Sequence, residues 1–513
     1  MNESTLSSSA ARANGPIPGH LFIEAARLRL GWIVVALILL VTCLVQVPVV
    51  LNTDLAWLLT VNEKILDGHR LGVDIFESNP PLSVYMYMPA AWLGRLTGTA
   101  PERIVILLVI AEIAGALLVI DRANAAAGLA SRERRLMLWS FSILLASLPG
   151  VIFGQREHIA VVALTPFVAV TALRWRGLDP GRIALVAGAG AGLAMGIKPF
   201  FALAAGLPMI CVSFRRGSWK ALFTPEALTA ALVAIGYGAV IIVVFPAYLA
   251  DYAPMVADAY LPVRRDLSAL LPIPVALLGV ALAVLRLLAP EHPQIWRNAV
   301  PWLAAALGGA ASFLLQGKGW PYTTFALCVF AISAPLLQLT TDRIRAPLAA
   351  GGLAAIVATG LFVSSPPPGF PPLQAHVLAH VPPLQKHPRL LTISDHIRLG
   401  HPLVREIDGV WVGSSCAQLL AAGAILQLNT SQPSPGRQAR LEAIIAFERK
   451  MLLQDLRSGR PNVILVDTSL FSSFPFDWLA WANADPELRQ ELSRYREVEQ
   501  VGRVRILAER ADL

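Results

Sequence analysis

The fold is decided by the apolar run GWIVVALILLVTCLVQVPVV at positions 31–50 and the mixed segment NTDLAWLLTVNEKILDGHRLGVDIFESNPP at positions 52–81. A helix of about 20 apolar residues crosses a bilayer core, so the first run predicts a membrane span. Three arginines precede it within segment 1–30. Basic residues favour the cytoplasmic side, which places segment 1–30 inside and segment 52–81 outside.

Similar apolar runs continue through the first two thirds of the chain, between residues 31 and 364. The 513 residues are 55% hydrophobic and 15% charged, with a mean hydropathy of +0.59. In soluble proteins, about a quarter of all residues are charged. The runs predict a polytopic all-α membrane protein with about 11–13 transmembrane helices. Segment 82–97 is short and proline-flanked, so we expect it to be re-entrant or only partly inserted.

The net charge of +8 does not indicate nucleic-acid binding. The basic residues lie in short clusters between apolar runs, as cytoplasmic loops require, and they do not alternate with aromatic residues as in a nucleic-acid groove. The four cysteines suggest no disulfide framework.

The composition changes after residue 364. Segment 365–389 is rich in proline and predicts a linker. Residues 390–513 predict a small α/β extracytoplasmic domain, with a strand at 462–466 and helices at 441–456 and 486–495. Five histidines of the tail match no zinc template, so metal ligation by them is not favoured: His376, His380, His387, His396 and His401.

Asp54 is the sharpest local signal in the external segment. It follows Asn52 and Thr53 directly after the first span. All three residue types cap helices well, so the residues alone favour a solvated helix cap. A carboxylate at a membrane boundary is also well placed to act as a base on an external substrate.

The wider pattern favours the second interpretation. Ala56-Trp57, Asp67-Gly68, Asp74 and Asn79-Pro80-Pro81-Leu82 follow Asp54 in order. This arrangement resembles the first external loop of the GT-C superfamily of membrane glycosyltransferases, in the bacterial branch related to protein O-mannosyltransferases and the lipid A aminoarabinose transferase. The likeness extends to the multi-span body and the external C-terminal domain.

The resemblance implies an enzyme that moves a monosaccharide, a hexose or a pentose, from a polyprenyl-phosphate donor to a cell-envelope acceptor with inversion. Asp54 matches the catalytic carboxylate of the family and would be the general base. The acceptor is a glycan, a lipid or a protein. The implied location is the bacterial plasma (inner) membrane, with the C-terminal domain outside.

The leaving phosphate needs cationic stabilisation. The candidates for donor-phosphate binding on the predicted external face are Lys198, Lys318, Arg156, Arg264 and Arg265. A snorkelling role for Lys198 and an interfacial Arg156–Glu157 salt bridge are the structural alternatives.

Glu157 and His158 are candidates to hold a divalent metal or to orient the donor. A divalent metal, Mg or Mn, is thus one candidate cofactor, although the pattern requires none. The candidates for acceptor or sugar contact are Asp74, Glu77, Trp320 and Tyr322.

Two other classes compete with the enzyme hypothesis. A secondary transporter or flippase for a lipid-linked glycan would place charged residues deep within its spans, whereas here they lie near one membrane face. A scaffold protein would tolerate the loss of Asp54, Glu157 and Lys318. The chain shows no nucleotide-binding loop, which agrees with a donor that is already activated.

Overall fold

The computed structural model describes residues 18–49, 51–288, 294–340, 371–381 and 386–510, without the side chains of residues 18–25, 288 and 339–340. The end of the predicted membrane part, residues 341–364, lies outside the described residues, as do residues 365–370 and 382–385 of the predicted linker.

Helices dominate the described part of the chain. The α-helices of the N-terminal part are α1 Pro18–Gln46, α2 Thr53–Leu66, α3 Pro81–Tyr85, α4 Met88–Thr97, α5 Pro101–Ala126, α6 Ser131–Ala146, α7 Arg156–Arg176, α8 Ala184–Ile197, α9 Phe201–Arg216, α10 Pro225–Val244, α11 Ala253–Met255, α12 Leu267–Leu270, α13 Pro272–Leu288, α14 Gln294–Gln316 and α15 Phe325–Leu336. Two π-helical turns, Tyr248–Tyr252 and Val256–Tyr260, flank α11. Short 3-10 helices occur at Gly150–Ile152, Trp219–Leu222, Pro321–Thr324 and Leu337–Thr340.

The C-terminal part mixes helices and strands. Its helices are α16 Gln374–Ala379, α17 Ile397–Gly400, α18 Leu403–Glu406, α19 Leu419–Thr430, α20 Pro435–Gly459, α21 Trp478–Asn483 and α22 Pro486–Leu492. Its strands are β1 Arg389–Ile393, β2 Val410–Trp411, β3 Val463–Asp467, β4 Ser469–Leu470, β5 Phe474–Pro475, β6 Tyr495–Val501 and β7 Val504–Glu509.

Six helical stretches among the described residues are long and apolar enough to cross a membrane: Ala26–Gln46, Pro101–Ala126, Arg156–Arg176, Pro225–Val244, Leu267–Leu287 and Gln294–Gln316. Shorter apolar helices at Ala184–Ile197 and Pro321–Leu336 accompany them. The prediction of a polytopic helical membrane protein with a small C-terminal α/β domain is therefore confirmed. The expected number of 11–13 spans stays a prediction.

The helices pack around α7. Most of the α7 surface is buried by α5, α8, α9 and α14, whereas α10 leaves nearly all of its apolar surface open. An apolar helix without protein cover suits contact with lipid. We infer that α7 forms the centre of the membrane part.

Small residues allow the closest helix contacts. A Cβ added at Gly188 in α8 would lie 2.2 Å from the carbonyl oxygen of Glu226 in α10. A Cβ at Gly308 in α14 would lie 2.4 Å from the carbonyl oxygen of Leu203 in α9. Only glycine permits such close approach, which is how membrane helices gain packing contacts.

Segment 82–97 is divided into the two short helices α3 and α4 by a break at Met86 and Tyr87. The ten residues of α4 span about 15 Å, roughly half of a bilayer core. Neither helix is long enough to cross a bilayer. These lengths agree with the expectation that segment 82–97 is re-entrant or only partly inserted.

The C-terminal part forms a five-stranded sheet in the order β2-β1-β3-β7-β6. β1 runs parallel to β2 and β3, and β7 runs antiparallel to β3 and β6. The strand β3 (VILVD) is buried throughout. An apolar run of this kind is typical of a strand covered on both faces.

Candidate active site at the membrane face

The first turn of α2 turns the Asp54 carboxylate inward. Asn52, not Asp54, caps the helix, since its Oδ1 accepts a hydrogen bond from the Asp54 backbone N–H at 3.0 Å. The side chain of Asp54 is only 13% exposed. Asn52 therefore forms the helix cap that was expected from the residues alone. The Asp54 carboxylate does not cap the helix and is nearly buried.

Two residues at the start of α7 hold the Asp54 carboxylate. The Gln155 Nε2 donates to Asp54 Oδ2 at 2.6 Å, and the Arg156 Nη2 donates to the same oxygen at 3.1 Å. The Arg156 side chain is 5% exposed, so this ion pair is nearly buried. Asp54 is fixed in one orientation, and its Oδ1 is not a partner in either bond.

Burial raises the pKa of Asp54 above its ordinary value. The neighbouring Arg156 and Lys198 cations oppose this rise, and the carboxylate of Glu157 adds to it. A carboxylate whose pKa is moved toward neutrality is a stronger base while it remains ionised at neutral pH.

A second ion pair lies next to the first. Lys198, directly after α8, donates a very short hydrogen bond to Glu157 and a second bond of 3.2 Å to Gln316 Oε1. Glu157 Oε2 is buried and finds no hydrogen-bond partner among the described residues. Arg156 pairs with Asp54 and Glu157 pairs with Lys198, so two separate pairs take the place of the alternative Arg156–Glu157 salt bridge. Lys198 does not snorkel.

Glu77 lies on the other side of Arg156. Its Oε1 is 3.9 Å from Arg156 Nη1, and its Oε2 accepts a hydrogen bond of 2.5 Å from Trp57 Nε1. Asn79 donates to Glu77 from its backbone at 3.0 Å and also from its side chain. Glu77, expected at the acceptor, therefore anchors the loop to α2 beside the site.

Asp74 and His158 are placed away from this cluster by their hydrogen bonds. Asp74 Oδ2 accepts from the Arg70 backbone N–H at 2.9 Å in an exposed turn. His158 is fully buried: its Nδ1 accepts from the Gly154 N–H at 3.0 Å, and its Nε2 lies 2.7 Å from the Leu145 carbonyl oxygen. Both ring nitrogens are occupied by backbone, which leaves neither for a metal.

Lys318 lies beyond the Lys198 pair in a glycine-flanked loop after α14. Its Nζ donates to the carbonyl oxygens of Tyr260 and Val263 at 2.6 and 2.5 Å. Burial, with Arg264 nearby, lowers the pKa of Lys318 to about 8. Arg264 donates to Leu314 O at 2.7 Å.

The loops at 260–266 and 316–320 are packed against each other. The Arg265 backbone N–H donates to Gly317 O at 2.8 Å. Gly317 and Gly319 both have positive φ, and a Cβ at Gly317 would meet the Arg264 side chain at 2.3 Å. Glycine is thus required here by conformation and by space.

Aromatic rings connect the two lysines. Lys318 Nζ lies 4.0 Å from the ring centroid of Tyr260, and that ring stacks on Trp320 at 6.5 Å. Trp320 contacts Tyr322 at 5.5 Å, and Lys198 Nζ lies 5.7 Å from the Tyr322 ring. Tyr and Trp rings suit contacts at a membrane interface or with a sugar.

The C-terminal domain covers this cluster. The Phe76 N–H donates to Ser414 O at 2.8 Å. Burial raises the pKa of the Cys416 thiol, and the nearby carboxylates of Glu77 and Asp54 raise it further. Trp57 packs edge-on against His401 at 5.3 Å. The domain therefore closes the outer side of the site.

Arg405 fastens the domain to the membrane part. It makes a bidentate contact with Glu63 in α2, at 2.7 and 2.9 Å, and a very short hydrogen bond to Glu102 in α5. Bidentate arginine–carboxylate pairs fix orientation as well as distance. The domain is thereby held in register with the helix that carries Asp54.

The cluster has chemistry suited to acid–base work on an anionic substrate. Three carboxylates, Asp54, Glu77 and Glu157, share two cations, Arg156 and Lys198. The structure brings together Asp54, Arg156, Glu157 and Lys198, with Tyr322 and Lys318 adjoining.

Sequence reasoning did not single out Gln155, Gln316 and Tyr260 as site residues. Gln155 and Gln316 stand beside charged candidates at helix ends, and that position is the signal that could have identified them. Tyr260 carries no such signal, because only the packing of two distant loops brings it to Lys318.

A small cavity of about 130 Å³ lies beside the N-terminus of α2. Asn52 and Leu55 line it from α2, and Glu102 and Val105 line it from α5. The cavity therefore adjoins the residue that caps the helix of Asp54.

No protein-family model and no curated protein matches the sequence. Among solved structures, ArnT from Cupriavidus metallidurans bound to undecaprenyl phosphate superposes with a TM-score of 0.50 and 11% identity, covering 96% of this chain and 98% of that one. The archaeal oligosaccharyltransferase AglB from Archaeoglobus fulgidus, in complex with an inhibitory peptide and a dolichol-phosphate, has a TM-score of 0.43 and 12% identity over 94% of this chain and 73% of that one. The second likeness is too low to support a conclusion. The near-complete overlap with ArnT shows that this chain shares the fold of that protein.

Proposed function

We propose that this protein is a membrane glycosyltransferase that moves a monosaccharide from a polyprenyl-phosphate donor to a hydroxyl of a cell-envelope acceptor. The observation that carries the proposal is the nearly buried Asp54–Arg156 pair at the membrane boundary. In this proposal Asp54 is the base, and Arg156, which lies 3.1 Å from it, binds the donor phosphate.

The shared fold supports the donor class. The ArnT structure contains undecaprenyl phosphate, which is the product left when a sugar departs from an undecaprenyl-phosphate donor. A polyprenyl donor would reach the site through the bilayer. The apolar helices around α7 provide the necessary membrane contact.

The proposed reaction is one displacement at the anomeric carbon. The acceptor oxygen forms a bond to that carbon while the carbon–oxygen bond to the phosphate breaks, and the electron pair leaves with the phosphate. The acceptor proton passes to the Asp54 carboxylate. Attack from the face opposite the phosphate inverts the anomeric configuration.

Arg156 and Lys198 are the first choices for stabilising the charge that develops on the phosphate, because both already hold carboxylates in this cluster. Preorganised cations in a water-poor site are a large source of catalysis. Lys318, Arg264 and Arg265 are the next choices, across the aromatic contacts from Lys198.

A divalent Mg or Mn ion is not needed for this scheme. Among the described residues of the membrane face, Asp54 and Glu157 each bind a cationic side chain. The expectation of such an ion is tested by adding either metal to EDTA-treated protein.

We propose a multi-pass location in the bacterial plasma membrane with the C-terminal domain outside, and a glycan, lipid or protein as acceptor. Trp320 and Tyr322 are proposed to contact the sugar.

The test of the function is transfer by the purified full chain, with polyprenyl-phosphate hexoses and pentoses as donors and envelope extract as acceptor. The expected result is stoichiometric release of polyprenyl phosphate and a product of inverted anomeric configuration by NMR. Retention of configuration would contradict the single displacement. Vesicle flipping of a lipid-linked glycan without any transfer would replace the proposal by the transporter alternative.

A further inference from the structure

A second cluster of ligand-type side chains lies in the C-terminal domain, away from the membrane site. Asp395 and His396 follow the parallel strand β1, and Asp467 ends the neighbouring strand β3. Parallel strands carry their functional side chains at their carboxyl ends, where loops leave the sheet. One potential ligand atom from each residue lies within 4.8 Å of the others.

Asp395 has one carboxylate oxygen that accepts no hydrogen bond from the described residues. Its side chain is 1% exposed, and its Oδ1 has no hydrogen-bond partner among the described residues. Its Oδ2 accepts from the Phe471 backbone N–H at 2.8 Å. A buried oxygen without a partner is costly, so it calls for an explanation such as an ion.

The two carboxylate oxygens of Asp467 also differ in their hydrogen bonds. Its Oδ1 accepts from the Thr468 N–H at 2.8 Å and lies 3.4 Å from Arg503 Nε. Its Oδ2 accepts long hydrogen bonds of 3.4 and 3.3 Å from the hydroxyls of Ser394 and Ser469. The more weakly bonded Oδ2 is therefore the oxygen available to an additional ligand.

His396 completes the set on the solvent side. Its Nε2 lies 3.9 Å from Asp395 Oδ2 and 2.8 Å from the hydroxyl of Ser472, and its side chain is 26% exposed. The cluster is thus buried at the sheet and open at the histidine, which provides an entry path.

We propose that Asp395, His396 and Asp467 bind a divalent transition-metal ion of the Zn²⁺ or Mn²⁺ type. Carboxylate oxygens and an imidazole nitrogen are the ligands that such ions take. Ligands at about 2.1 Å from one ion lie about 3–4 Å apart, so a pair at the observed limit of 4.8 Å needs to shorten by about 1–2 Å. Two carboxylates beside one arginine leave an excess of negative charge that the ion offsets.

The ion ties the end of β1 to the end of β3. These strands belong to the C-terminal domain, which packs over Asp54. The metal therefore stabilises the domain that closes the membrane site and takes no part in the transfer reaction. This inference is independent of the proposed transfer reaction.

The test uses the full chain in detergent, stripped with EDTA and then equilibrated with Zn²⁺ or Mn²⁺. We expect about one equivalent of metal per chain by mass spectrometry and a higher unfolding temperature of the metal-bound protein. Asp395→Asn and Asp467→Asn should each reduce the bound metal at least about tenfold, since ligand loss typically costs that much or more in affinity.

Asp408→Asn is the matched control, because Asp408 pairs with His387 at 3.2 Å on the exposed surface of the same domain. It should bind metal as the wild type does. Asp395→Asn also removes a buried charge, so its fold is checked by size-exclusion chromatography and by circular dichroism. Metal binding equal in folded Asp395→Asn and wild type, or no stoichiometric binding to wild type, would overturn the proposal.

Discussion

Replacement of Lys198 by methionine separates the structural from the chemical role of the second ion pair. Lys198 and Glu157 are 11% and 3% exposed. Removing one partner of a buried pair typically costs about 3–5 kcal/mol, because it leaves an uncompensated charge. Glu157 retains the nearby positive charge of Arg156, so we expect a loss at the lower end of this range.

The double variant Lys198→Met/Glu157→Gln tests the cause of that loss. Neutral partners of similar volume often replace a buried ion pair at little cost, so the double variant should unfold near the wild-type temperature. If Lys198 also binds the donor phosphate, both variants should show a raised donor KM. The restored stability should not restore KM.

The assay is thermal unfolding in detergent by tryptophan fluorescence, combined with donor titration. Lys220→Met, at an exposed lysine of a short 3-10 helix, is the matched control. A double variant as unstable as the single variant would refute the reasoning from an orphaned charge.

Three further outcomes follow from other contacts. Arg405→Gln should loosen the C-terminal domain, giving faster limited proteolysis and lower transfer, whereas Arg457→Gln on an exposed helix of the same domain should do neither. Gly308→Ala should lower stability by about 1–3 kcal/mol, the usual range for overpacking, and Gly206→Ala, where an added Cβ meets nothing within 4 Å, should not. Because the folded pKa of Lys318 is lowered to about 8, its charge is present below that pH and is lost above it. Donor KM should therefore rise as pH increases through about 8, and Lys318→Arg should remove that rise; an unchanged pH profile would exclude Lys318 from donor binding.

Local patterns predicted the parts of the fold that depend on near neighbours. The first span, the short segment 82–97 and the strand predicted at 462–466, observed at Val463–Asp467, follow from apolar length, flanking prolines and strand-type residues. The position of Asp54 at the start of α2 was also predictable, because Asn-Thr-Asp after an apolar run marks a helix start.

The partners within the site were not predictable in the same way. Gln155 reaches Asp54 across 101 positions of sequence, and Lys198 meets Glu157 across 41. Such pairs depend on how α2, α7 and α8 pack, and one sequence gives no measure of that packing. Glu77 shows the same limit, since the sequence does not indicate that this loop carboxylate accepts a hydrogen bond from Trp57.

The central claim is that Asp54 is the base of sugar transfer from polyprenyl phosphate. The most direct measurement compares single-turnover release of polyprenyl phosphate by the wild type, Asp54→Asn and Asp67→Asn, with equal unfolding temperatures as the criterion of folding. Asp67 is the matched control, because it ends the same helix but is 59% exposed and pairs with Arg95. The account predicts a loss of about 10²–10⁴-fold for Asp54→Asn alone. Release at the wild-type rate by folded Asp54→Asn would contradict it.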